Sequence, residues 1–313
     1  MHQPGVVPLR PLTLGDLFGG ATLTIRRNPR ATVGLAALVT LAFMLVPIVV
    51  TLVLGLTDSL PSLDLGSGSD PESGAGINAA SGISALFGWL AGVVVTGVIM
   101  RVVERAVGGG RTSAGQAWQR SRGRLLPLLG LSLLALVVLV LALTVPAGLG
   151  VLVGLLASST PLAVALGVLG FLVGAVAAVF LYVRFFLLAA PNLVVEGNGV
   201  LSSLRRAGVL SRSQFWRLLG IALLAGLLGG IVGQIVAIPF TVLGVVGLLL
   251  LPSSWGTVAL LLSSYVASVV TGAVTSPFTG GVSALQYFDQ RFRKEGYDIE
   301  LLNRPPAQPG QQA

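Results

Sequence analysis

The sequence predicts an all-α integral membrane protein with six transmembrane helices. We expect three repeated helix pairs, each preceded by a basic amphipathic interfacial helix. Only 10% of the 313 residues are charged and 54% are hydrophobic, with a mean hydropathy of +0.92, whereas soluble domains carry about 25% charged residues. Six apolar runs are each long enough to cross a bilayer, which takes about 20 helical residues. A short basic segment also recurs before the first, third and fifth runs.

The first basic segment, residues 13–27, has the pattern of a short amphipathic helix. Its apolar residues fall at helical spacings on one face: Leu14, Leu17, Phe18, Ala21 and Ile25. Thr13 and Asp16 have the spacing of a capping box, and Asn28-Pro29 ends the helix because proline disfavours the α conformation in the residue before it. An apolar face with arginines at its end predicts a helix lying at the headgroup boundary. The alternative is a soluble helix packed on a core.

The six predicted spans belong to one integral membrane domain, residues 1–302. They lie at about 31–56, 77–103, 125–157, 162–190, 218–251 and 257–276. Residues 57–76 are rich in Ser, Gly, Pro and acid, which predicts a flexible outer loop. Residues 108–124 and 192–217 contain the second and third basic segments, and Ser113 with Gln116 repeats the capping spacing of Thr13 with Asp16.

The charges predict the orientation. All 19 Lys and Arg residues fall in the N-terminal segment, the even-numbered loops or the C-terminal segment, including the inner ends of the spans. The opposite side has none of them and holds four of the 11 acidic residues. Loops that carry Lys and Arg stay in the cytoplasm, so we expect both termini to be cytoplasmic.

Proline and glycine recur inside the spans. Pro47, Pro146 and Pro239 lie about midway along the first, third and fifth spans, where each removes a backbone hydrogen bond and predicts a kink or break. Pairs of glycines four residues apart predict close helix packing. These pairs are Gly88/Gly92, Gly150/Gly154, Gly170/Gly174, Gly226/Gly230 and Gly229/Gly233.

Chemically active residues are scarce. The chain has no cysteine and one histidine, His2, in a terminus that we expect to be unstructured. No catalytic motif or metal-ligand spacing is present, and no ionisable residue falls at an expected midplane position. Gln234 is the one large polar side chain deep in a span. We expect it to form a hydrogen bond either with a substrate or with a backbone carbonyl freed by Pro239. We predict no enzymatic activity, catalytic residue, cofactor or bound metal ion.

The charged residues near the span ends are our candidates for contact with the membrane surface or with a docking partner. They are Arg26, Arg27, Arg30, Arg120, Arg122, Arg205, Arg206, Asp289, Arg291 and Arg293. Residues 277–300 predict a C-terminal helix on the cytoplasmic face, which is either docked or a solvated extension. Residues 303–313 predict a disordered tail. We expect membrane lipids and a membrane or cytoplasmic protein as partners, but no nucleic acid, because the basic residues lie beside apolar spans.

Two terminal segments resemble a known family: PLRPLTLGDLFGGATLTIRRNPRATVG at 8–34 and YFDQRFRKEGYDIEL at 287–301. They are similar to bacterial, especially actinobacterial, membrane proteins grouped with the membrane domain of glycerophosphoryl diester phosphodiesterases. The resemblance covers essentially the whole chain and implies a helical protein of the bacterial plasma membrane with unassigned molecular function. It does not imply the esterase, because that enzyme class works through a separate soluble barrel whose histidines and metal-binding acids this chain lacks.

The sequence has no catalytic motif, and its basic residues are predicted to lie on the cytoplasmic side. Together these observations favour a non-catalytic scaffold or partner subunit in envelope or lipid metabolism. The alternative is a carrier or flippase-like path for lipids or small apolar solutes, since kinked, glycine-rich helices can leave backbone lining a cavity. A cavity between the helices would support the carrier hypothesis, whereas a tightly packed bundle would remove its basis.

Overall fold

The computed structural model describes residues 5–57, 75–110, 112–251, 254–297 and 299. Most of the predicted outer loop and all of the predicted tail lie outside the described residues. Within the described part, all regular secondary structure is helical, and six helices are long and apolar enough to cross a membrane. The six-span, all-α class predicted from the sequence is therefore confirmed.

Nine α-helices and two short π-helical turns follow one another in the described chain. The α-helices are α1 Leu14–Arg27, α2 Leu35–Leu56, α3 Ala75–Val107, α4 Ala114–Leu156, α5 Thr160–Leu181, α6 Ala189–Glu196, α7 Val200–Ser211, α8 Phe215–Leu250 and α9 Ser254–Glu295. A π-helical turn at Arg30–Gly34 leads into α2, and another at Tyr182–Phe186 follows α5.

The predicted capping box forms at the start of α1. The amide of Asp16 donates to Thr13 Oγ1 at 3.2 Å, and the amide of Thr13 donates to Asp16 Oδ2 at 2.8 Å. The apolar face packs mainly on protein, since Leu17 and Ala21 are fully buried and Phe18 stacks on Phe278 of α9 at 5.7 Å. This face is used for packing within the chain, so an interfacial position of α1 stays a prediction.

The second basic segment is not a separate helix. Ser113 caps α4 by accepting from the amide of Gln116 at 3.3 Å, and the helix then runs unbroken to Leu156. Pro127 does not stop it, and the residue whose carbonyl loses its hydrogen bond, Gly123, is exposed. At about 1.5 Å per residue, these 43 residues extend about 65 Å. The first turns of α4 therefore project beyond an apolar layer of about 30 Å.

The sixth span and the predicted C-terminal helix are also one helix, α9, which continues through Pro277. The fourth candidate span, Thr160–Glu196, continues past α5 through the π-helical turn at Tyr182–Phe186 and into α6. Pro47, Pro146 and Pro239 each lie inside a continuous helix, so none of them breaks its span. Kinks at these prolines stay a prediction.

Two pairs of consecutive spans pack as antiparallel hairpins, α4 with α5 and α8 with α9, whereas α2 packs on both α9 and α3. The arrangement of the six spans as three repeated helix pairs stays a prediction. All described Lys and Arg residues lie at one end of the bundle, which we call the basic end. Most of the large buried side chains also lie near this end, including Tyr287, Phe288, Leu12, Leu17, Ile99, Leu193 and Leu285. The rest of α4 and α5 is largely exposed, as expected for helices facing lipid.

The hairpin of α4 and α5 depends on four glycines with no room for a side chain. A Cβ added at these positions would lie 2.1–2.4 Å from an atom of the facing backbone; they are Gly150, Gly154, Gly170 and Gly174. Two of the predicted glycine pairs are therefore confirmed as packing positions. Gly226 and Gly230, by contrast, have no neighbouring atom within 4 Å of an added Cβ, so that pair does not pack within the described chain.

Candidate functional site

A cavity of about 300 Å³ lies between α3, α4, α6, α9 and the π-helical turn after α5. We call it the hydroxyl cavity. Its polar lining residues are Thr96 of α3, Ser132 of α4, Tyr182 of the π-helical turn and Ser283 of α9. The remaining lining residues are apolar or aromatic, and none of the described residues that line it is charged.

The hydroxyls of Thr96, Ser132, Tyr182 and Ser283 have no hydrogen-bond partner among the described residues. Serine and threonine in helices commonly donate to the carbonyl of the preceding turn, as Thr144 of α4 does to Val140 at 2.9 Å. Thr96, Ser132 and Ser283 are half-buried and Tyr182 is 42% exposed. Four hydroxyls without a protein partner that line one open cavity indicate space for a polar ligand.

The hydroxyl cavity lies on the apolar side of the basic end. Thr96 precedes Arg101 by five residues and Ser283 precedes Asp289 by six, which places them about 8–9 Å along their helices from those charges. In a membrane whose headgroups meet the basic end, the cavity lies within the adjacent leaflet.

A second space of about 430 Å³ is a groove between α8 and α9. Its hydroxyls already have partners: Thr275 donates to the carbonyl of Thr271 at 2.9 Å, and Thr271 donates to that of Gly233 at 3.3 Å. Gln234 lines this groove, is exposed, and makes no hydrogen bond among the described residues. The expectation that Gln234 binds a carbonyl freed by Pro239 is therefore wrong, because its side chain points into the groove.

The ten predicted interface residues divide into two groups. Six are exposed and form no ion pair within the described residues: Arg26, Arg27, Arg30, Arg120, Arg122 and Arg205. The other four are bound inside the chain: Arg206, Asp289, Arg291 and Arg293. Only the first group is therefore free to meet anionic headgroups or an acidic partner.

Asp289 is the centre of the first internal ion cluster and is 1% exposed. Its carboxylate accepts from Arg217 at 2.5 Å, from Arg293 at 3.0 Å and from the amide of Leu12 at 2.8 Å. Arg217 and Arg293 also donate to the Leu12 carbonyl, at 2.6 and 3.1 Å. The carboxylate therefore ties residues 5–12, which we call the N-terminal strap, to the start of α8 and the end of α9.

Glu196 is the centre of the second cluster. It accepts a hydrogen bond from the Tyr287 hydroxyl and forms ion pairs with Arg206 at 2.9 Å and Arg291 at 3.7 Å. Glu295 pairs with both arginines, at 2.9 Å each. Burial alone would lower the pKa of Arg206, but the two carboxylates outweigh it and raise that pKa. The cluster holds α6 and α7 against α9.

Sequence reasoning missed Arg217, Glu196 and Tyr287 as partners. Leu12 and Asp289 are 277 positions apart, and Tyr287 and Glu196 are 91 apart, so no local spacing connects them. Among the described residues, no group of three or more His, Cys, Asp and Glu is placed to hold a metal ion.

The model of a family described as a domain of unknown function, DUF7847, matches residues 12–289. Neither the curated proteins nor the solved structures contain a significant match. The matched region includes all six candidate membrane helices except the last turns of α9. It also includes the hydroxyl cavity and, of the Asp289 cluster, Leu12, Arg217 and Asp289 but not Arg293. The chain therefore belongs to the DUF7847 family.

Proposed function

We propose that this chain is a non-catalytic multi-pass membrane protein that binds a lipid in the hydroxyl cavity, as a carrier or flippase-like path for lipids or small apolar solutes. The observation that carries the proposal is a space between the helices that is lined by four hydroxyls without partners. In the proposed setting, the bacterial plasma membrane, both termini are cytoplasmic and the basic end faces the anionic inner leaflet.

The position and lining of the hydroxyl cavity support a lipid as the ligand. A volume of about 300 Å³ is at the lower end for small-molecule sites, which span about 300–1,000 Å³. It therefore accommodates part of a lipid while the rest stays in the bilayer. Side chains such as Met100, Leu131 and Phe186 supply apolar contact beside the hydroxyls.

The test is lipid binding by the full chain purified in mild detergent, measured by native mass spectrometry. We expect Thr96→Val combined with Ser132→Ala to lose most of the bound lipid. Thr144→Val is the matched control in α4, because its hydroxyl already donates to a backbone carbonyl, and we expect it to retain the lipid. Retention of lipid by the double variant, with a melting temperature like that of the wild type, would refute the assignment of the cavity.

Transport is tested separately, after reconstitution into vesicles that carry a fluorescent lipid. Movement of the probe between leaflets that depends on Thr96 and Ser132 would support the carrier path. Lipid binding without movement would limit the role to binding.

A scaffold or partner subunit is the second candidate function, favoured by the groove between α8 and α9. Gly226 and Gly230 leave the helix backbone open there, and Gln234 offers an amide without a partner. In a bilayer, such a surface suits close approach of another transmembrane helix. The chain has no cysteine, so Gln234→Cys provides a single cross-linking site. A cross-linked partner in native membranes would support this role, and its absence at every reagent length would contradict it.

A further inference from the structure

We propose that the ligand of the hydroxyl cavity is a neutral glyceride, whose uncharged glycerol ester region lies among the hydroxyls. This inference rests on the proposed lipid-binding function and specifies the class of lipid. It follows from the charge, the hydrogen-bonding groups and the position of the cavity.

The lining excludes a phosphate from the cavity on energetic grounds. Among the described residues that line it, none is Lys or Arg, so a buried phosphate would have no counter-charge. Moving an uncompensated ion out of water costs far more free energy than moving a neutral ester. A ligand that carries a phosphate would have to keep it outside the cavity.

The two arginines next to lining residues in the chain are already engaged. Arg101 follows Met100 and donates to Glu104 at 2.8 Å, and it also donates to the carbonyl of Val195 at 3.5 Å. Arg184 follows Tyr182 by two residues and donates to Ser211 Oγ at 3.4 Å. Arg101 is therefore ion-paired within the chain, whereas Arg184 is bound to a neutral hydroxyl and has no ion pair among the described residues. Neither arginine lines the cavity.

The hydroxyls of Thr96, Ser132 and Ser283 come from three different helices that meet around one space. Each can donate to an ester carbonyl and accept from a free hydroxyl. A neutral glyceride carries both kinds of group next to its acyl chains. The apolar lining, with Trp89 and Phe186, suits the first part of an acyl chain. The chemistry of the cavity therefore matches the ester region of a glyceride in its polar and apolar parts.

The test uses the full chain in detergent and follows quenching of Trp89 fluorescence by lipids with brominated acyl chains. Three probes share the same chains: diacylglycerol, phosphatidic acid and phosphatidylglycerol. Trp89→Phe identifies the signal from this tryptophan among the four in the chain. We expect diacylglycerol to quench Trp89 saturably and to bind at least tenfold more tightly than either anionic lipid.

Loss of two neutral hydrogen bonds in Thr96→Val/Ser132→Ala should weaken diacylglycerol binding about tenfold, whereas Thr144→Val should leave it unchanged. Equal or tighter binding of phosphatidic acid would overturn the glyceride assignment and leave the lipid-binding function standing. If none of the three lipids quenched Trp89, the lipid-binding function would fail and the glyceride assignment with it. Thermal melting of each variant, compared with the wild type, separates lost binding from lost folding.

Discussion

Removal of the Asp289 charge should release the N-terminal strap from the basic end of the bundle. Asp289→Asn keeps the shape of the side chain but leaves Arg217 and Arg293 without their shared carboxylate. Breaking a buried pair by removing one partner costs about 3–5 kcal/mol. Because the side chains of Arg217 and Arg293 are 27% and 31% exposed, water can hydrate part of the freed charge. We therefore expect the lower end, about 3 kcal/mol, or roughly a hundredfold in the unfolding equilibrium constant.

The measurement is reversible unfolding of the full chain in mixed micelles of denaturing and mild detergent. Glu295→Gln is the control in the same helix, because its pairs with Arg206 and Arg291 are nearer the surface, and we expect a change of about 1 kcal/mol or less. A shift for Asp289→Asn below about 0.5 kcal/mol, or one no larger than that of Glu295→Gln, would refute the reasoning.

Release of the strap has its own readout. Val7 is fully buried, so a cysteine at this position in the otherwise cysteine-free chain should react slowly with a maleimide. We expect Val7→Cys to be labelled faster when Asp289 is replaced by Asn. If the labelling rate did not change, the carboxylate would not be what holds the strap.

Three further predictions concern packing, pH and topology. Gly150→Ala should destabilise the α4–α5 hairpin by about 1–3 kcal/mol in the same micelle assay, because its Cβ would lie 2.1 Å from the Leu166 carbonyl oxygen. Gly148→Ala should be neutral or stabilising, because an added Cβ there would have no neighbour within 4 Å. Equal effects of the two substitutions would contradict this packing. Burial alone would raise the pKa of Asp16, but hydrogen bonds from Thr13 and a nearby arginine outweigh it and lower that pKa. The capping box should therefore stabilise α1 above the pKa of the unfolded carboxyl, about 3.9, and lose this as the pH falls; amide exchange of α1 at pH 3 should differ less between Asp16→Asn and wild type than at pH 6. A tag at the C-terminus should be reachable from the cytoplasmic side only, and labelling in intact cells would reverse the predicted orientation.

The helix boundaries depended on long-range context more than on local signals. Asn28-Pro29 ends α1 as its local pattern predicts, and Ser113 caps α4 as predicted. Pro127 is the strongest helix breaker between the basic segment after Ser113 and the span that follows. It does not end the helix, and the Gly123 carbonyl that loses its hydrogen bond is exposed. The two therefore form one helix, and interruption by proline was predicted more often than it occurs.

The candidate site was predicted only in outline. The sequence indicated that a cavity would favour a carrier, but the hydroxyls around the cavity come from positions 96, 132, 182 and 283, which share no spacing. Sequence reasoning chose Gln234 as the notable polar residue because amides deep in a span are rare. Serine and threonine were not distinguished, because they usually bond to their own helix, and only packing reveals which ones lack that bond.

The sequence by itself determined the six spans, the caps of α1 and α4, and the collection of the described Lys and Arg residues at one end of the bundle. These depend on properties that are local in the chain: hydropathy over about 20 residues, capping spacings and loop charge. Tertiary structure alone decided which charges are free and which hydroxyls have no partner. Asp289 could serve a partner until the fold brings Leu12, Arg217 and Arg293 around it, because a carboxylate satisfied inside the chain has no remaining capacity for a ligand.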